Sequence, residues 1–305
     1  MAFQKAVKEK AKLRLALIGP SGSGKSFSAL RIATGLGGKI AFIDTERNSG
    51  CLYADIFDFD HDNLNPPFTV ENYIRKITEA EQAGYDTIII DSISHEWEGE
   101  GGLLEQHEKI TQASKSKNSY NAWATITPKH QLFIGKMMGS PCHIIATMRS
   151  KTEYERDENS KTYRKVGTAP KQRDGMDYEF TACFDLSVSH YATPTKHRCG
   201  ELFDINNPFI PTEETGEQLL QWLNTGREPM PKQNSSLDFW KKSFWNEYKK
   251  TGYGKDMLDS YVLQYAGKPV SECNSSDFQL LTARLKATVS SMEAASNESV
   301  QDPAA

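Results

Sequence analysis

Residues Leu17–Leu30 read LIGPSGSGKSFSAL, and this stretch decides the fold. It carries the pattern G-x-x-x-x-G-K-S/T between an apolar run typical of a buried strand and a segment with helical spacing. Glycines let successive backbone N–H groups turn toward phosphate oxygens, and the following helix directs its positive end at the same place. The alternative is a strand–helix turn without a ligand. The pattern predicts a nucleotide-phosphate loop made of Gly19, Pro20, Ser21, Gly22, Ser23, Gly24, Lys25, Ser26 and Phe27.

Short apolar runs alternate with longer amphipathic runs over the first two thirds of the chain. This alternation predicts an α/β fold with a mainly parallel central sheet flanked by helices. The predicted helices cover Lys25–Leu36 and Thr69–Gly84. The predicted strands cover Leu13–Gly19, Lys39–Asp44, Tyr85–Ser92, Cys142–Met148 and Phe180–Val188.

Two acidic residues stand where strands end. Asp91 closes the most apolar predicted strand, and a carboxylate there needs a charged partner. The simplest partner is a Mg²⁺ ion that Asp91 shares with the Ser26 hydroxyl. The alternative is that Asp91 caps the next helix. Glu46 follows the second strand. Because parallel strands share one carboxyl edge, we expect Glu46 near the phosphate loop, where it would orient a water; the alternative is a surface glutamate.

The bulk composition excludes several classes of protein. The chain has 305 residues, is 38% hydrophobic and carries a formal net charge of −4, which argues against a basic surface throughout. No run of 18 apolar residues and no signal-peptide pattern occur, so we expect a cytoplasmic protein without membrane contact. The five cysteines are scattered without CxxC spacing, which favours reduced thiols over disulfides or a zinc site.

The order of these motifs resembles the RecA/RadA-type recombination ATPases. The likeness is carried by the phosphate loop, by IAFIDTE at Ile40–Glu46 and by TIIIDSIS at Thr87–Ser94. The longer series through RNSGCLYAD, HEWEGEGGLLE, CHIIATMRSKTEY and QRDGMDYEFT resembles phage-encoded ATP-binding proteins with a minimal RecA-like core. The resemblance implies a RecA-like P-loop NTPase core that uses ATP and Mg²⁺ in a bacterial host cytoplasm. It also implies that Glu46 is catalytic, that Asp91 is the Walker B aspartate and that Lys25 acts on the outer phosphates.

In that family a polar phosphate sensor and a DNA-binding loop follow the next core strand. Here IIATMRSK offers Thr147 or Arg149 in place of the family's usual Asn-Gln pair. The polar stretch 150–175 then mixes cations with Tyr154 and Tyr163, as single-stranded DNA binding requires. A solvated β-hairpin is the alternative, because acidic residues dilute the charge. The predicted DNA contacts are Lys151, Arg156, Lys161, Arg164, Lys165, Lys171 and Arg173.

The segment TPTKHRCGELF at Thr193–Phe203 resembles the Lys-x-Arg-x-Gly element of RadA and of hexameric helicases. The resemblance implies that Lys196 and Arg198 reach the nucleotide of a neighbouring subunit and stabilise charge on its γ-phosphoryl group. Hydrolysis would then depend on assembly into a ring or filament. The alternative is a basic turn between two strands.

The remaining sequence predicts a second, smaller domain. Residues 1–225 form the predicted ATPase core, and 226–238, rich in Pro and Ser, form a predicted linker. Residues 239–292 predict a small C-terminal helical module of three helices, whose aromatics form a core or, alternatively, a groove for a peptide or DNA. Residues 293–305 predict a disordered tail.

The leading hypothesis that follows from the resemblance is an ATP-hydrolysing protein that binds single-stranded DNA and promotes homologous recombination by annealing or strand exchange. The expected partners are single-stranded DNA and further copies of the chain, with a single-strand-binding protein as a further candidate. One alternative is an ATPase with another nucleic-acid role, such as helicase loading in replication. Another is a nucleotide-gated interaction protein with little turnover.

Overall fold

The computed structural model describes residues 5–114, 119–156, 163–227 and 237–298. The chain separates into two compact units, Met1–Glu228 and Pro229–Ala305. No helix within the described ranges is both long and apolar enough to cross a membrane.

A central sheet organises the first unit, in the order β3-β2-β4-β5-β1-β7-β8. The neighbours from β3 through β7 pair in parallel, and β8 pairs antiparallel with β7. β6 pairs only with the outer half of β5 and forms an antiparallel hairpin with it. The strands are β1 (Arg14–Gly19), β2 (Ile40–Asp44), β3 (Asp60–Asn63), β4 (Thr87–Asp91), β5 (His143–Arg156), β6 (Tyr163–Pro170), β7 (Ala182–Leu186) and β8 (Ala192–His197).

Helices cover both faces of this sheet, because the strands are apolar on both faces. In β1, Leu15 and Leu17 pack into one apolar cluster, whereas Ala16 and Ile18 pack into the other. The first cluster includes α1 (Lys25–Leu36) and α6 (Glu213–Asn224). The second includes α2 (Val70–Ala83), α4 (Leu103–Ala113) and α5 (Ser119–Gly139), and the short α3 (Ser94–Glu98) follows β4. The predicted mainly parallel sheet flanked by helices is therefore confirmed.

Four strands differ from the sequence prediction: β3, β6 and β8 lie outside the predicted strand ranges, and β5 is longer than predicted. β3 reads DHDN, which has no apolar alternation, and it is held as an edge strand by parallel pairing with β2. The strand predicted over Cys142–Met148 instead runs to Arg156 and returns as β6, with Ser150 opposite Pro170 and Arg156 opposite Tyr163. Residues 150–156 and 163–170 thus form the two strands of an antiparallel hairpin, and DNA binding by this stretch stays a prediction.

The second unit is a small helical bundle. Its helices are α7 (Leu237–Lys250), α8 (Lys255–Ala266) and α9 (Ser275–Glu298). Phe244 and Tyr248 of α7 pack with Phe278 of α9 in its buried cluster. Trp245 is 39% exposed, so the aromatic run is not wholly core.

Three boundaries in this region differ from the predicted ones. α9 continues to Glu298, six residues into the predicted disordered tail, because its final turns are rich in alanine and glutamate, which favour a helix. The predicted linker began at Gly226, but Arg227 exchanges backbone hydrogen bonds with Lys8 and Lys10 at 2.9 and 2.8 Å and so belongs to the first unit. α7 already begins at Leu237, and the linker residues 228–236 lie outside the described ranges.

Candidate nucleotide-binding site

The glycine loop connects the end of β1 to the start of α1. Gly22 and Gly24 adopt φ values of 77° and 82°, a left-handed conformation that a side chain disfavours. The Lys25 Nζ atom donates a hydrogen bond of 2.8 Å to the Pro20 carbonyl, which folds the lysine back over the loop. Burial lowers the pKa of Lys25, while Asp91 and Glu46 favour its charged form. The loop therefore brings Lys25 to the same cavity as Gly22 and Gly24.

Asp91 stands at the end of β4 and is only 1% exposed. Its Oδ2 atom accepts a hydrogen bond of 2.5 Å from the Ser26 hydroxyl, and its Oδ1 atom accepts one from the Thr147 hydroxyl. Burial raises the pKa of Asp91 to about 6, although both hydroxyls oppose this shift by stabilising the carboxylate. The N-cap of α3 is Ile93, so Asp91 does not cap that helix.

The oxygens of Ser26 and Asp91 fit a Mg²⁺ ion. A hydroxyl and a carboxylate are hard oxygen donors, and Mg²⁺ is commonly held by one or two protein oxygens together with substrate phosphates. A buried carboxylate whose charge is disfavoured also gains from a nearby cation. In the described parts of the chain, no three His, Cys, Asp or Glu side chains group into a metal site of their own.

Glu46 and Arg149 complete the polar edge of the site. Gly19 is in register with Arg149, and Asp44 is in register with Asp91, so the loop and these strand ends share one edge of the sheet. The Arg149 Nε and Nη2 atoms both lie 2.9 Å from Glu46 Oε1. Glu46 is therefore part of the site rather than an isolated surface residue.

Asp44 shapes the segment that carries Glu46, a role that the sequence did not reveal. Its buried carboxylate accepts hydrogen bonds from the backbone N–H groups of Glu46 and Gly50, at 2.5 and 2.9 Å. The His61 Nε2 atom lies 3.1 Å from the same carboxylate. Arg47 and Asn48, between these anchors, have φ values of 59° and 66°. Asp44 thus holds a tight loop that points Glu46 toward the phosphate loop.

Thr45 provides a second support that the sequence did not reveal. Its buried hydroxyl receives a 2.8 Å hydrogen bond from the Ser92 backbone N–H and lies 2.7 Å from the Nδ1 atom of His95. The Tyr73 hydroxyl donates to the Ser92 carbonyl at 2.9 Å. These contacts tie the residue after Asp91 to β2 and α2, which fixes the direction of the carboxylate.

A cavity of about 440 Å³ joins these groups. Of the predicted loop residues, Gly19, Pro20, Ser23 and Phe27 are not part of its lining, and Phe27 packs edge-on against Tyr53 with ring centroids 5.5 Å apart. Tyr53, Ser150 and Lys171 line the cavity and were not predicted to do so. The lining consists of Ser21, Gly22, Gly24, Lys25, Ser26, Glu46, Tyr53, Asp91, Arg149, Ser150 and Lys171.

The two cations predicted to act in trans lie on and after β8, the edge strand that is separated from β1 by β7. The Lys196 Nζ atom donates to the Asp177 carbonyl at 2.9 Å and also to the Tyr178 carbonyl. Arg198 is exposed. Neither residue lines the cavity of its own chain.

The cations predicted to bind DNA divide into two groups. Lys151 is exposed on β5, and Arg156, Arg164 and Lys165 lie on the two strands of the hairpin; Lys161 is outside the described residues. Lys171 and Arg173 instead face the body of the unit. Lys171 forms an ion pair of 3.1 Å with Glu98, and the Arg173 guanidinium lies 5.9 Å from the centre of the Trp123 ring.

Comparison with known proteins places this site in a family. A family model described as an AAA domain matches residues 11–221, which is more than half of the chain. Among solved structures, the chain is similar to one described as a prototypical ATPase from the type III secretion system of pathogenic bacteria. That similarity has 11% identity, covers 91% of this chain and 80% of the other, and has a TM-score of 0.36. No curated protein matches the chain. Since the family match spans the glycine loop, Asp91 and the strands around them, the chain belongs to the AAA domain family and is a nucleotide-binding, AAA-type P-loop ATPase.

Proposed function

We propose that this protein hydrolyses ATP with Mg²⁺ and uses the nucleotide cycle to control binding of single-stranded DNA during homologous recombination. The observation that carries the first part is the convergence of Lys25, Ser26, Asp91 and Glu46 on one cavity at the carboxyl edge of the sheet. These are the groups that a phosphoryl-transfer site needs: a cation for the phosphates, oxygen ligands for a metal, and a carboxylate for the attacking water.

In this proposal each residue of the site has one task. Ser26 and Asp91 hold Mg²⁺, which neutralises charge on the outer phosphates when it is bound. Lys25 binds those phosphates as a point charge, and the ring of Tyr53 offers a stacking surface for the base. Glu46 accepts a hydrogen bond from the attacking water and orients it, once its carboxylate is released from Arg149.

The β5–β6 hairpin is the candidate DNA-binding element. It continues from β5, the strand whose residues Thr147 and Arg149 contact the site. Lys151, Arg156, Arg164 and Lys165 belong to its two strands, and a segment that carries several cations suits a phosphate backbone. A hairpin rooted in the nucleotide cavity gives ATP a direct physical route to DNA affinity. We further propose that the protein promotes annealing or strand exchange in phage recombination and that it acts in the cytoplasm of a bacterial host.

Self-association into a ring or filament is part of the proposed mechanism. Lys196 and Arg198 lie outside the cavity of their own chain, so they contribute to hydrolysis only if they reach another copy. The Lys196 ammonium would have to leave two backbone carbonyls to do so. A single-strand-binding protein is a further candidate partner.

The test is ATP hydrolysis with and without single-stranded DNA, over a series of protein concentrations. Stimulation by DNA that steepens with protein concentration is expected, and DNA binding should weaken steeply as salt rises. Asp91→Asn is the control, since it should abolish turnover under every condition. If the rate of ATP hydrolysis did not change with DNA at any protein concentration, the recombination proposal would be refuted. The assignment as an ATPase would remain.

A second candidate function, a nucleotide-gated interaction protein with little turnover, is favoured by two observations. One oxygen of Glu46, Oε1, is held in an ion pair with Arg149, which competes with a water for that carboxylate. Beside Tyr53 of the cavity, Leu52 is 78% exposed and Ile56 is 59% exposed, which suits a protein contact near the nucleotide. Slow turnover that no DNA accelerates would favour this function.

A further inference from the structure

Lys171 follows β6 directly, at the base of the hairpin, and it lines the nucleotide cavity. Its backbone N–H donates a hydrogen bond of 2.7 Å to the Arg149 carbonyl. The start of one hairpin strand and the end of the other thus bring two cations, Arg149 and Lys171, to the same cavity. Glu46 pairs with Arg149 and lines the same cavity. A terminal phosphate attacked by a water held on Glu46 would therefore lie near the positive charges of Arg149 and Lys171, which would stabilise it.

Both cations are paired with glutamates. Arg149 pairs with Glu46 at 2.9 Å, and Lys171 pairs with Glu98 at 3.1 Å. All four side chains are partly open to solvent, so each pair is weak and can be exchanged for a stronger partner. A terminal phosphate carries more charge than one carboxylate and would be such a partner.

The backbone around Lys171 is fixed, which leaves the side chain as the moving part. The next residue, Gln172, is 4% exposed. Its Nε2 atom donates to the Ile93 carbonyl and to Glu96 Oε2, both at 3.1 Å. The Oε1 atom of the buried Glu96 lies 3.3 Å from His130 Nδ1 on α5. Lys171 can therefore turn from Glu98 to a phosphate without any change in the hairpin backbone.

We propose that Lys171 is a nucleotide-binding residue that contacts the terminal phosphate of a nucleoside triphosphate and leaves Glu98 when it does so. This inference rests on the proposed function, since it requires a nucleotide in the cavity. Lys171 thereby discriminates triphosphate from diphosphate. It also links the return strand of the hairpin to the state of the nucleotide.

The test compares Mg²⁺-dependent binding of a non-hydrolysable ATP analogue and of ADP to the full chain by calorimetry. Lys171→Met should weaken the triphosphate analogue by about tenfold or more and leave ADP nearly unchanged, as expected for loss of one charge-assisted contact. Lys136→Met is the matched control, because Lys136 also pairs with a glutamate, Glu81, but lies outside the cavity. Its ratio of the two affinities should equal that of the wild type.

Glu98→Gln provides a test of opposite sign. Removal of the competing carboxylate should tighten binding of the triphosphate analogue, which loss of a merely structural ion pair would not do. If the Lys171→Met variant kept the wild-type ratio of the two affinities, or bound both nucleotides more weakly by the same factor, the inference would be overturned. Nucleotide binding by the chain would still stand. A wild-type chain that binds neither nucleotide would overturn the proposed function, and this inference with it.

Discussion

Arg149 and Glu46 form an ion pair in the lining of the nucleotide cavity, with Arg149 Nη2 and Glu46 Oε1 2.9 Å apart. The pair joins the end of β5, from which the hairpin rises, to the loop that follows β2. It holds the carboxylate that we assign to the attacking water. In the proposed mechanism, ATP attracts Arg149 and releases Glu46, which would tie catalytic readiness to occupancy of the site.

Glu46→Gln should abolish turnover without abolishing ATP binding. An amide keeps the shape of the side chain but is a far weaker base, so we expect hydrolysis to fall at least about 100-fold. Phosphate release and the Kd for ATP, measured on the same preparation, check this. Glu79→Gln is the control, since Glu79 is an exposed partner of Arg75 on α2. If Glu46→Gln retained turnover, the water would have to be oriented by another group.

The raised pKa of Asp91 makes Mg²⁺ binding sensitive to acid. The ion requires the carboxylate, so Mg²⁺-dependent ATP binding should weaken as pH falls through about 6, by roughly tenfold per pH unit below it. A Mg²⁺ titration of ATP binding between pH 5 and 8 measures this. Asp91→Asn should remove the metal dependence at every pH. An affinity that stays constant across the range would show that Asp91 is not a ligand.

Stability of the nucleotide-free protein should respond to pH in the opposite sense. The folded state keeps the Asp91 proton up to about pH 6, whereas the unfolded chain loses it near 3.8. The folded state therefore binds more protons in this window, and the contribution of Asp91 lowers the free energy of unfolding as pH rises through it. Urea unfolding of the wild type and of Asp91→Asn should diverge with rising pH, with the variant the more stable. Parallel curves would contradict the raised pKa.

Thr147→Val should move the acid transition of Mg²⁺ binding to higher pH. The Thr147 hydroxyl donates to Asp91 Oδ1 and stabilises the ionised carboxylate, so its loss raises the pKa of Asp91 further. Thr282→Val is the matched control, because that buried hydroxyl donates to the Phe278 carbonyl in the helical unit. The pH midpoints of the two variants, measured by Mg²⁺ titration, should differ. Identical midpoints would exclude Thr147 as the group that tunes Asp91.

Two helical glycines should respond to alanine in opposite directions. A Cβ atom on Gly216 of α6 would lie 2.1 Å from the Ile32 carbonyl of α1, so Gly216→Ala should destabilise the protein by about 1–3 kcal/mol. Gly135 of α5 has open space at the same position, so Gly135→Ala should stabilise it by up to about 1 kcal/mol. Urea unfolding of both variants checks the pair. Equal effects would show that α1 and α6 do not approach closely.

The sequence predicted those parts of the fold and the site that depend on local pattern. Buried strands such as β1 and β4 are continuous apolar runs. The glycine loop is recognised by a fixed spacing of glycines, lysine and serine that is typical of a phosphate-binding turn. Asp91 was found because a carboxylate after such a run is costly without a partner. β3 was missed because its four polar residues carry no periodic signal and are held by pairing with β2 alone.

The sequence by itself determined a phosphate loop between a strand and a helix, a carboxylate at the end of a buried strand and a second acidic residue at the same edge. Only the tertiary structure decided which cations reach that edge. Lys171 and Arg173 belong to the same basic stretch as Lys151, yet the hydrogen bond from the Lys171 N–H to the Arg149 carbonyl brings Lys171 to the cavity, whereas Lys151 is exposed. The physical reason is that composition sets how much charge a segment carries, whereas strand register and the return of the chain set where each charge points.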